Sequence, residues 1–131
     1  MVTKYLDVPQ RKWGVVVVLD YDVEYDYRDL RAIMMSFGLL DEDRIEKSMC
    51  VLDEPNTGMT ISNNDLCMSV IFISNATDAG EWWDTALHEI YHVSNAIIDY
   101  YGVPYESEGA AYLMGYLTKE FIEQVGEPCY D

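Results

Sequence analysis

A chain of 131 residues, 50% of them apolar, is long enough to bury one hydrophobic core and too apolar to be a disordered tail. Its formal net charge of -16, from 24 acids against 8 bases, argues against a nucleic-acid or anionic-membrane partner, because phosphate surfaces attract clusters of Lys and Arg that this sequence lacks. The same acidity serves solubility and suits cationic ligands or a basic partner protein.

The start, MVTKYLDVPQRKW, has no apolar stretch of the signal-peptide kind, and the longest apolar run, Val15 to Leu19, is far too short to cross a bilayer. The expectation is a single cytoplasmic domain over 1 to 131. KWGVVVVLDY (12 to 21) is β-branched and apolar at consecutive positions, which predicts a central strand covered on both faces. YRDLRAIMMSFGLL places Leu30, Ile33, Met34 and Phe37 at helical spacing, with Gly38 at the C-terminal cap. DEDRIEKSMCVL (41 to 52) carries Ile45, Met49 and Leu52 on one face and predicts a second, shorter helix.

GMTIS (58 to 62) and MSVIFIS (68 to 74) flank the turn residues NNDL and predict a hairpin. WWDTALHEIYHVSNAIIDYY (82 to 101) then predicts a long helix stopped by Gly102 and Pro104, with one of Trp82 and Trp83 buried and the other exposed. A last helix from Ser107, its N-cap, to Val125 repeats apolar residues at 110, 113, 114, 117 and 121. Cys50, Cys67 and Cys129 are widely spaced without a CxxC, so reduced, partly buried thiols are expected. The element order predicts an α+β fold: a small twisted sheet of about three strands with helices on one side.

Both histidines of the chain fall in HEIYHVSNAI (88 to 97). Residues four apart on a helix stand one turn above each other, so His88 and His92 are able to share one metal ion. Glu89 lies about 100° round the cylinder, beside such an ion, where its carboxylate can take a proton from water. Leu87, Ile90, Ser94, Ile97, Ile98 and Tyr101 are expected to cluster away from the histidines. Asp84, Asn95 and Asp99 are expected near them, placed to accept the outer ring N–H of a ligating imidazole. A catalytic zinc needs a third protein donor. ESEGAAYLMGYL (106 to 117) offers Glu106 and Glu108, and Glu108 is preferred because it falls inside the predicted helix. Ala111 and Gly115, on nearly the same stripe, predict a close approach of the two helices.

HEIYH with Glu108 downstream resembles the gluzincin arm of the HExxH zinc metallopeptidases, and the element order is similar to a minimal zincin core. NTGMTISN, SVIFIS, the HExxH helix and GVPYESEGAAYL resemble small zincin-like proteins of gut Bacteroidales and of their prophages and phages. That resemblance implies Zn2+ as cofactor, His88, His92 and Glu108 as metal ligands, and Glu89 as general base in peptide-bond hydrolysis. It implies also that GMTIS borders the cleft, where an extended peptide could add to the sheet edge. Gluzincins bring a further His or Tyr to the transition state; with no histidine left, Tyr112 is the candidate, ahead of Tyr105 and Tyr116. The expected function is a zinc metallopeptidase acting on a peptide or protein substrate. The alternative is an acidic binding or antagonist protein, phage-encoded, with a structural or vestigial metal site. The oligomeric state stays open.

Overall fold

In the computed structural model, which describes residues 1–126 and 128, a four-stranded sheet runs in the order β1 (Val2–Val8), β2 (Trp13–Leu19), β4 (Met68–Ile73) and β3 (Gly58–Asn63). β1 is antiparallel to β2, β2 is parallel to β4, and β3 is antiparallel to β4. The connection between the two parallel inner strands runs through α1 (Tyr27–Ser36), α2 (Glu42–Leu52) and β3. α3 (Ala79–Tyr101) and α4 (Glu108–Val125) follow β4. The fold is α+β, with a mixed open sheet and four helices among the described residues. None of those helices is long and apolar enough to cross a membrane.

The helices occupy both faces of the sheet, which corrects the one-sided arrangement expected from the sequence. Successive strand residues point to opposite faces. Val15, Val17 and Leu19 of β2, with Ile71 and Ile73 of β4, enter a core with Ala86, Ile90 and Val93 of α3 and with Leu113 and Leu117 of α4. Val18, Val70 and Phe72 point the other way, onto Leu30 and Met34 of α1 and Ile45 and Met49 of α2. A strand apolar at every position needs a layer on each side, and the two helix pairs supply them.

β1 has little apolar signature because it is an edge strand. Only Leu6 and Val8 are buried along it, and its place in the sheet rests on backbone pairing with β2 from Val2 opposite Leu19 to Val8 opposite Trp13. Helix boundaries follow the cap residues. Asp41 accepts hydrogen bonds from the backbone N–H of Asp43 and Arg44 at the start of α2. Asp78 accepts from Glu81 N at 2.8 Å, so α3 starts a turn before the tryptophan pair. Ser107 accepts from Ala110 N at 3.2 Å at the start of α4. α3 ends at Gly102, in the left-handed conformation with φ 68°.

Trp82 is fully buried and Trp83 half-buried at its edge, their ring centroids 5.0 Å apart. Cys50 and Cys67 are free thiols, the first exposed and the second half-buried. Cys129 lies outside the described residues.

Candidate functional site

α3 lies over β3 and β4, and α4 over β1 at the opposite edge of the sheet. This difference decides what can gather around the motif. The flank of α3 turned to β3 carries Thr85, His88, Glu89 and His92, which line grooves with residues of that strand. One groove, of about 440 Å³, is walled by Gly58, Met59, Thr60 and Ser62 on one side and by His88, Glu89 and His92 on the other. Gly58, Thr60 and Ser62 alternate along β3 and so share the face turned to α3.

The two imidazoles converge, with His88 Nε2 and His92 Nε2 3.0 Å apart. Two nitrogens on one tetrahedral zinc, each at ~2.0–2.1 Å, stand about 3.3 Å apart, so the pair is close to the spacing of two ligands on a shared ion. Both rings face solvent, His88 with 66% of its side chain exposed. Glu89, one residue on, is 4% exposed. Its Oε1 accepts a hydrogen bond from Thr60 Oγ1 at 2.8 Å, and its Oε2 lies 4.0 Å from His88 Nε2. One oxygen of the carboxylate is therefore tied to the edge strand while the other faces the imidazole pair.

Gly58 permits this approach. A Cβ there would stand 2.8 Å from Thr85 Cγ2, 2.9 Å from Glu89 Cγ and 3.0 Å from the Phe72 carbonyl oxygen. Below the groove, Ser62 Oγ and Ser69 Oγ are 2.7 Å apart, and Ser69 Oγ accepts from Trp13 Nε1 at 3.0 Å. A hydrogen-bonded chain of two hydroxyls and an indole N–H thus crosses β3, β4 and β2 from the groove to the core.

Glu108 stands elsewhere. The buried stripe of α4 is Ala110, Leu113, Leu117 and Phe121, and Glu108, two residues before Ala110, points about 200° away from it. Ala111 and Gly115 follow Glu108 on the exposed side, so this small-residue stripe does not carry the helix contact; Ala110 does. Among the described residues no group of three or more His, Cys, Asp or Glu side chains is arranged to hold a metal ion. The histidine pair fits two positions of a metal centre, and the third donor is not assembled beside it.

Tyr112 is 73% exposed and lines a small recess with Gln10, Arg11, Gly109 and Leu113, away from the groove. Tyr105 donates its hydroxyl to Asp99 Oδ1. Tyr116 donates to the Asp7 carbonyl oxygen at 2.9 Å, on β1. Asp99 is thereby engaged by Tyr105, and among the described residues neither imidazole bonds to Asp84, Asn95 or Asp99. Leu87 and Tyr101, expected in the apolar cluster, are exposed, whereas Ile90, Ser94, Ile97 and Ile98 are buried as anticipated.

The tyrosine that feels Glu89 is Tyr21, just beyond β2. Burial, and then the negative charge of Glu89, push its hydroxyl well above the usual tyrosine range. Among the described residues that buried hydroxyl has no hydrogen-bond partner. Gly58 and Thr60 are not legible as site residues from periodicity, because they meet Glu89 only through the sheet.

Comparison of the chain with protein-family models, with curated proteins and with solved structures found no match.

Proposed function

We propose that the groove between α3 and β3 is the site of a zinc-dependent peptidase, with His88 and His92 as ligands and Glu89 as general base. The observation that carries this reading is the convergence of the two imidazole nitrogens to 3.0 Å with a buried carboxylate oxygen 4.0 Å from one of them. Zinc, when bound, supplies Lewis acidity and makes water a nucleophile near neutral pH. The chain's own residues do the rest. Thr60 holds one carboxylate oxygen of Glu89, so that the other accepts a proton from water and returns it to the leaving amine. β3, with its outer edge unpaired in the sheet, offers backbone groups along the groove to an extended peptide. Glu108 is the proposed third ligand, and because it stands apart from the pair, that role requires the first turn of α4 to move.

A second reading is favoured by the two-donor set and by the net charge of -16: an acidic binding protein whose histidine pair is structural or vestigial. The deciding experiment measures zinc stoichiometry and cleavage of a fluorogenic peptide mixture for the parent, Glu89→Gln, His88→Ala and Glu108→Ala. On the peptidase reading Glu89→Gln keeps its zinc and loses cleavage by about a hundredfold or more, and His88→Ala loses both. Glu108→Ala weakens zinc binding if Glu108 is the third ligand. A parent that stays zinc-free in excess zinc, or a Glu89→Gln variant as active as the parent, overturns the reading.

A further inference from the structure

On another flank of α3, Tyr91, Ser94, Asn95 and Ile98 follow the i, i+3, i+4, i+7 spacing that keeps residues on one helix face. Ser107, Ala110, Ala111 and Met114 do the same at the start of α4. The two stripes bound a mostly apolar groove of about 270 Å³, which Tyr105 and Glu106 complete where the chain turns from one helix into the other. Small side chains in the middle leave the space, and large ones wall it.

The walls have a specific chemistry. Tyr91 and Tyr105, 54% and 56% exposed, line the groove with ring faces open to an occupant. Tyr105 is held in place by its hydrogen bond to Asp99. The faces of tyrosine rings attract cations, and ordering a ring costs little conformational entropy. The charges at this end of the groove, Glu106 and Asp99, are negative, on a chain of net charge -16. An anionic occupant is opposed by that field, and a purely apolar one leaves Glu106 facing it.

We propose that this groove docks an arginine side chain from a basic segment of a partner polypeptide. The guanidinium plane lies against the tyrosine faces with the Glu106 carboxylate beside it. The methylene stem runs over Ala110 and Met114. The site shares no lining residue with the histidine groove.

The test uses a short arginine-containing peptide and its citrulline counterpart, titrated by calorimetry at about 0.15 M salt. The arginine peptide binds, and the citrulline peptide, of the same shape without charge, binds about tenfold more weakly or not at all. The double variant Tyr91→Ala, Tyr105→Ala leaves the net charge unchanged, so a general attraction to an acidic protein survives it while groove recognition falls by about tenfold or more. Ala111→Leu fills the groove from an exposed helical position and is expected to do the same. Tyr25→Ala, which removes an exposed tyrosine outside both grooves, binds the peptide like the parent. Circular dichroism confirms folding of each variant. Unchanged affinity in both the tyrosine and the Ala111 variants overturns the proposal, as does loss of binding in Tyr25→Ala.

Discussion

Thr60 on the edge strand donates its hydroxyl to Oε1 of Glu89 on α3 at 2.8 Å, and this contact orients a carboxylate that is 4% exposed. Burial strengthens such a bond and raises the cost of losing it, because an acceptor without a partner keeps its full desolvation penalty.

Thr60→Val, which preserves shape and removes only the hydroxyl, is expected to cost about 1.5–3 kcal/mol, the range for hydrogen bonds to charged groups. Thr60→Ser should recover most of it. Urea unfolding reads this as a lower midpoint at constant slope. A midpoint equal to the parent's would show that Glu89 does not depend on this strand.

Gly58→Ala forces a methyl group to within 3.0 Å or less of Thr85 Cγ2, Glu89 Cγ and the Phe72 carbonyl oxygen. The backbone oxygen cannot swing away as a side chain can. The expected loss is about 1–3 kcal/mol, typical of overpacking. Adding Thr85→Ser removes one of the three clashing atoms and should restore part of the loss. Full stability in Gly58→Ala would mean that α3 and β3 pack more loosely than these distances require.

Tyr21 supplies a pH dependence. Its hydroxyl is held above the normal tyrosine range in the fold, first by burial and then by the charge of Glu89. Below about pH 10 the hydroxyl is neutral in both folded and unfolded chains and contributes no slope. Above that, the unfolded chain ionises and the folded one resists, so stability falls as pH rises toward the folded value. Tyr21→Phe should flatten this alkaline decline. It should also add about 1 kcal/mol at neutral pH, since the buried hydroxyl it removes has no partner among the described residues. Thermal melts from pH 8 to about 11 measure both; an alkaline limb unchanged in Tyr21→Phe refutes the assignment.

Zinc at about a hundredfold over its dissociation constant should stabilise the fold by about 2.7 kcal/mol, which is roughly a 10 °C rise in melting temperature for a domain of this size. EDTA should reverse the rise, and His88→Ala or His92→Ala should abolish it. A melting temperature indifferent to zinc in the parent leaves the histidine pair without an ion to hold.

Local chemistry made much of the chain legible. The apolar run at Val15 to Leu19, the hairpin around NNDL, the Ser107 cap and the Gly102 stop all act over a few residues, and periodicity reports them directly. Even the pairing of His88 with His92 is local, since one helical turn brings them together. β1 was not legible, because an edge strand with two buried residues is stabilised by the backbone of its neighbour and not by its own pattern.

What only the tertiary structure decided is which way each helix faces. The strand order places α3 at the β3 edge and α4 at the β1 edge, so the motif opens toward Gly58 and Thr60 while Glu108 turns to solvent. Sequence spacing measures distance along the chain and determines a residue's side of its own helix. The side of the sheet on which that helix packs is set by burying two apolar faces at once, and no single helix contains that information.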